Sequence, residues 1–262
     1  MNKDKLKGLM WGSLLGDAYG KNGEFSLYGE QAIWLLEYMS ESKVYDPFVF
    51  GDLWQKKMNK YQGQLDKASK DSLLNIKSGR SFLAAGSSSH DLSVVGRHAP
   101  ILFTLKGMDE MLESIKFHNC LTHMTKETID ASKYIAEVTL AMIYNLDVEH
   151  TLLERAKFYG EAVEAEVEKA VALKDKPVNV AMNALGTASN VEGALASTIY
   201  LLLNHHDDFN RLLKVNLEAG GATSARAMVA GMIVGARYGF EKIRAECIEE
   251  IKAYEKLNAL IS

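Results

Sequence analysis

Near the C-terminus, residues 220–239 read GGATSARAMVAGMIVGARYG. Two adjacent glycines halt one element, and from Ala225 onward the segment is almost wholly small or apolar. Gly231 and Gly235 stand four residues apart, so on a helix they share a face. This predicts a buried central helix whose small side admits a neighbour closely. Thr223 or Ser224 is placed to cap it by accepting backbone N–H bonds. Its N-terminus, opening beside Gly220 and Gly221, offers N–H groups and positive dipole charge to a phosphate or carboxylate. The N-terminal part of the chain has a counterpart. Gly12 to Gly20 (GSLLGDAYG) is also glycine-rich and apolar, and Gly23 and Glu24 follow. Two such helices, each beside a polar loop, either build one site where they pack or use glycine for packing alone.

The 262 residues, 47% of them hydrophobic, are enough for a sizeable core. No repeat, linker or low-complexity stretch divides them, so residues 1–262 are read as a single domain. Three prolines leave long helical windows. Val and Ile do not gather into alternating runs. The fold class that follows is all-α, a compact multi-helix globule. A net charge of −4 argues against a nucleic-acid partner held by bulk charge. Cys120 and Cys247 have neither metal-ligand spacing nor the numbers of a disulfide framework, which points to a reducing, cytoplasmic setting. The N-terminus does not read as a signal peptide. The most apolar run, around Met228 to Ala236, is too short to span a bilayer, so no membrane is expected.

Amphipathic periodicity predicts helices over Lys5–Tyr19, Glu30–Ser40, Phe48–Tyr61 after Asp46-Pro47, Leu65–Ile76, Asp109–Cys120 and Thr128–Asn145. One long charged helix is predicted over Val148–Leu173. Its Glu161, Glu164, Glu166 and Glu168 read as a solvated face. Further helices follow over Asn190–Asn204, Phe209–Leu217 and Glu241–Leu257. His205-His206-Asp207-Asp208 reads either as a metal cluster or as a turn in which Asp208 caps the next helix. Adjacent histidines cannot share a helix face, which favours the cap. Gly79–Arg97 is the least regular stretch. Its Ser88, His90 and Asp91 either line a functional loop or form a solvated serine-rich turn.

Five landmarks, in order, resemble an ADP-ribosylglycohydrolase. Gly16-Asp17-Ala18-Tyr19-Gly20 with Glu24 resembles the family's opening Gly-Asp-Ala helix and acidic residue. The serine-rich loop leading to Arg97-His98-Ala99-Pro100 resembles its Arg-x-Ala-Pro element. Thr122-His123 resembles its Thr-His pair, and Glu192 through Phe209 the helix and turn before the last motif. Asn216 to Gly239 resembles its Asn-x-Gly-Gly-Asp-x-Asp-Thr segment. The resemblance implies an all-α fold, cleavage of an N- or O-ribosyl bond, and a nucleotide or ADP-ribosylated substrate.

It also implies two magnesium ions, held by a Thr-Asp-Asp run and by the late Asp-x-Asp-Thr run. Here the early run aligns with Tyr28-Gly29-Glu30-Gln31 and the late one with Ala222-Thr223-Ser224-Ala225. Magnesium prefers hard oxygen ligands, generally including carboxylates. The pair is therefore expected to be absent, with no metal ligands and no other cofactor. Arg226 then either anchors an anionic ligand or fills the lost site by pairing with Glu24 or Glu30. Glu24, with Glu30, is the candidate catalytic carboxylate. Asp17, Ser88, His90, Asp91, Arg97, His123, Gly220, Gly221, Thr223, Ser224 and Arg226 are the candidate ligand-binding residues. Asp17 is expected to hold the first helix to its loop, and His123 is either a packed or a catalytic histidine. Three functions remain open: a metal-independent hydrolase, a pseudoenzyme that binds ADP-ribose or a related nucleotide, and a structural or interaction protein.

Overall fold

Gly8, Gly12 and Gly16 decide how the two ends of the chain meet. The computed structural model describes residues 2–243, 251 and 253–262. In it, α1 (Lys3–Ala18) lies antiparallel against the late glycine-spaced helix Thr223–Tyr238. A Cβ at Gly8 would strike the Gly235 carbonyl, one at Gly12 the Gly231 carbonyl, and one at Gly16 the Ala227 carbonyl. Gly231 and Gly235 face Gly12 and Gly8 in return. The stripe is therefore 8-12-16 against 227-231-235. Gly20 lies beyond the helix, in a turn at φ +72°.

The remaining helices follow in order: α2 (Leu27–Ser42), α3 (Pro47–Lys60), α4 (Lys67–Lys77), short α5 (Ser93–Gly96) and α6 (Ala99–Thr104), α7 (Met108–Thr122), α8 (Lys126–Ile143), α9 (Val148–Ala156), α10 (Glu161–Ala172), α11 (Val178–Leu185), α12 (Val191–His205), α13 (Phe209–Ala219), α14 (Thr223–Tyr238), α15 (Phe240–Ile243) and α16 (Tyr254–Ile261). Among the described residues there is no strand, only two isolated bridges. Every residue of α14 from Ala225 to Ala236 is buried, and α1, α5, α8, α12 and α13 pack around it.

Caps account for several boundaries. Asp46 accepts from Phe48 and Val49 at the start of α3, where Pro47 pre-sets φ. Thr125 accepts from Thr128 at α8, and Asp208 accepts from Arg211 at α13. Ser26 caps α2, whose first residue Leu27 lies three before the predicted Glu30. Two expectations are corrected. The segment Val148–Leu173 is two helices, because Gly160 at φ +85° turns the chain between them. Glu166 is not on a solvated face; it is 2% exposed and accepts from the backbone N–H of Gly193 at 2.7 Å. Of the predicted helix Glu241–Leu257, the ends fall in α15 and α16, and the middle, with Cys247, lies outside the described residues.

Candidate functional site

The antiparallel stripe brings the C-terminal end of α1 to the N-terminal end of α14. Asp17, fully buried there, accepts from the Ser26 backbone N–H at 2.7 Å and the Ser26 hydroxyl at 2.5 Å. The intervening turn uses positive φ at Gly20, Asn22 and Gly23, which folds Lys21 back over the helix end. The Lys21 ammonium donates to the Asp17 backbone carbonyl, to Asp17 Oδ1 at 3.2 Å, and to Ser224 Oγ at 2.5 Å. Asp17 thus holds the first helix to its loop, and Lys21 extends that hold to α14.

Neither Thr223 nor Ser224 caps α14. The capping position is Ala222, whose side chain makes no cap bond. Arg226 organises this end instead. Its guanidinium is buried and donates to Asn216 Oδ1 at 2.9 Å, the Thr187 carbonyl at 3.1 Å and the Gly220 carbonyl at 2.5 Å. Asn216 donates onward to the Thr223 carbonyl. Among the described residues no carboxylate partners Arg226, so in place of the alternative of pairing with Glu24 or Glu30 stand two backbone carbonyls and the Asn216 amide oxygen. Burial lowers its pKa to about 10. Gly221, at φ +69°, presses against Thr187, where a Cβ would not fit.

The 186–190 loop and the start of α12 then link this cluster to the serine-rich loop. Ala222 N–H donates to the Thr187 carbonyl, Leu92 N–H to Ser189, and Val191 N–H to His90. Asp91 accepts from Ser93 N–H at 2.8 Å and His90 meets Glu192 at 3.3 Å. Tyr28 reaches across from α2, with its hydroxyl paired to Ser93. Burial, and then the charges of Asp91 and Asp66, push its pKa up to about 12. In front of it lies a cleft of about 420 Å³ lined by Ser26, Leu27, Tyr28, Tyr61, Gln64, Leu65 and Asp66.

Other candidates lie apart. Glu24 is exposed in the turn before α2. Glu30 is half-buried and bonded to Trp34, and burial raises its pKa. Ser88 is exposed and lines a different cleft, with Asp71, Arg80 and Met124. Arg97 and His123 sit in a buried polar chamber. Arg97 donates to Gln31 Oε1 and, at 2.7 Å, to Thr122 Oγ1, which also meets His123 Nδ1 at 2.9 Å. His123 is a packed histidine that burial, and then Arg97, hold well below its ordinary pKa. Asp208 is a cap, and among the described residues no group of three or more His, Cys, Asp or Glu is placed to hold a metal ion.

Sequence reading passed over Lys21, Ser26, Tyr28, Thr187 and Asn216 as site residues. Ser26 carried a usable signal, as a serine ahead of an apolar run. Lys21 stands four residues after Asp17, a local charge-pair spacing, but its contact with Ser224, 203 positions away, leaves no trace in the sequence.

The sequence profile of the ADP-ribosylglycohydrolase family matches residues 1–262. No curated protein matches the chain. Among solved structures, a chain described as an ADP-ribosylglycohydrolase-related protein complex superposes with a TM-score of 0.82 at 18% identity, covering 99% of this chain and 96% of that one.

Proposed function

The chain belongs to the ADP-ribosylglycohydrolase family, and we propose that it works as a metal-independent binding member, taking an ADP-ribosyl or related nucleotide ligand in the cytoplasm without hydrolysing it. The supporting observation is how its carboxylates are committed. Cleavage of a glycosidic bond by paired carboxylates needs two of them facing each other across roughly 5–9.5 Å. Here Asp17 is bound to Ser26 and Lys21, Asp91 accepts from the Ser93 backbone N–H, and Glu30 bonds Trp34, while Glu24 is exposed in the turn before α2. The donors at the α1–α14 junction also suit a magnesium pair poorly. They are one carboxylate, a hydroxyl and a carbonyl, with an ammonium already among them.

The cleft beside that junction supports the ligand class. Tyr28 and Tyr61 line it, and Asp66 and Gln64 bring polar groups suited to ribose hydroxyls. Titration calorimetry with ADP-ribose in chelator tests the reading. Binding with no product from ADP-ribosylated peptides, with or without magnesium, is the expected result; turnover would reject it. One observation favours a metal-free hydrolase instead. Glu30 is held above the usual carboxylate range by burial, as a general acid would be. In any active preparation, loss of turnover in Glu30→Gln or Glu24→Gln would support that alternative.

A further inference from the structure

We propose that the Lys21 ammonium is a built-in cation that holds the ligand-cleft end of the α1–α14 pair closed, in the place where a bound metal ion would otherwise be required. The inference rests on the metal-independent reading above and names the group responsible.

Its geometry is that of an ion site. Three oxygens from two ends of the chain converge on one nitrogen: the Asp17 carbonyl, Asp17 Oδ1 and Ser224 Oγ. An ammonium has three donors, so these partners saturate it. Asp17 itself is fully buried, and such a carboxylate needs a charge partner as well as hydrogen bonds. Lys21 supplies that charge, with its side chain about one-third exposed. The backbone is shaped for this contact. The positive-φ residues 20, 22 and 23 return the chain over the helix end, and the Gly16–Ala227 approach leaves no room for larger groups just behind it. Ser224 stands where the resemblance implies a late carboxylate. A hydroxyl suits an ammonium already paired with Asp17, whereas a second carboxylate would leave net negative charge. Lys21 is thus a positioning residue: it does not line the Tyr28–Tyr61 cleft and sets the spacing between Ser26 and α14 at its edge.

The test exchanges one cation for the other. Thermal unfolding, which a ligand of the folded state raises, and manganese paramagnetic resonance are followed with excess Mn²⁺ and with chelator. The natural sequence is expected to show neither a shift nor bound Mn²⁺. Ser224→Asp is expected to remain unresponsive, because Lys21 pairs with the new carboxylate. Lys21→Ala combined with Ser224→Asp is expected to lose midpoint in chelator and regain it with Mn²⁺, which a merely structural salt bridge would not do. Mn²⁺ bound by the natural sequence or by Ser224→Asp at this junction would overturn the proposal. So would a folded double variant that ignores Mn²⁺. If the double variant does not fold, the Ser224→Asp measurement decides. None of these readouts uses ADP-ribose, so failure of the ligand-binding reading is seen separately.

Discussion

Arg226 and Arg97 are both buried arginines without a carboxylate partner, yet their surroundings differ. Arg226 spreads its donors over three oxygens and ties together α13, the 186–190 loop and the Gly220-Gly221 turn. Arg97 uses two donors on Gln31 and Thr122, and its Nε has no partner. Around it His98, His118, Tyr45 and Asn119 also carry unpartnered buried polar atoms. One arginine is a strut whose removal strands Asn216 Oδ1 and the Gly220 carbonyl, while the Thr187 carbonyl keeps the Ala222 N–H. The other is a charge stored among donors, tolerated because its acceptors have second partners: Gln31 Oε1 also accepts from Trp54 at 2.8 Å. A buried cation is therefore no guide to function by itself; its role depends on what its partners would lose without it.

Acid should break the comparison most strongly, since it acts on one region alone. Burial, and then Arg97, hold His98 at about 3 rather than 6.5, and His118 and His123 are also depressed by burial. These rings are neutral in the folded state, and the unfolded chain takes up their protons below pH 6.5. The stability they contribute is present above pH 6.5 and falls as pH drops; for His98 the loss runs towards pH 3 at about 1.4 kcal/mol per pH unit. Urea titrations should therefore lose on the order of 2 kcal/mol between pH 6.5 and 5 from His98 alone, with His118 and His123 acting in the same direction. A flat profile would mean that the chamber is hydrated and the rings titrate freely.

Arg226→Met comes next. Each buried acceptor left unpaired costs about 1–3 kcal/mol. Water reaches the half-buried Gly220 and Thr187, so a total of about 3 kcal/mol is expected from denaturant midpoints. Arg226→Lys should recover little of it, because one ammonium cannot span the three directions that the guanidinium serves. Arg97→Met should cost less than about 2 kcal/mol, since an apolar side chain of similar length relieves a buried charge. It should also weaken the acid response, because the histidines lose a neighbouring cation. Equal costs for the two methionine variants would erase the distinction. The smallest expected effect is Thr122→Val, about 1 kcal/mol, measured in the same way.

Local signals carried much of the fold. Asp46-Pro47, Thr125 and Asp208 start helices through caps that lie within a few residues of each other, and the apolar run after Ala225 is buried throughout as expected. Gly160 was read through because the charged periodicity continues on both sides of it, whereas its positive φ depends on packing. The candidate site was less legible. Asp17 could be assigned its holding role because its loop is adjacent. The partners of Arg226 could not, because carbonyls carry no sequence signature and any residue could have supplied Thr187's. Tyr28 stood inside an aligned run, but its contact with Ser93 crosses from α2 to α5.

The glycine stripe also sets a schedule for synthesis. Its partners come from opposite ends of the chain, and Glu241 N–H even bonds Asp4 Oδ1 across 237 positions. At about 5–20 residues per second, α1 waits for tens of seconds with its bare glycine face unmatched. Closing so long a loop is entropically only modestly dearer than closing a short one, but it cannot begin early. The α1 glycine face can dock only once Gly235 has been made, and nascent chains halted before it should keep α1 protease-sensitive.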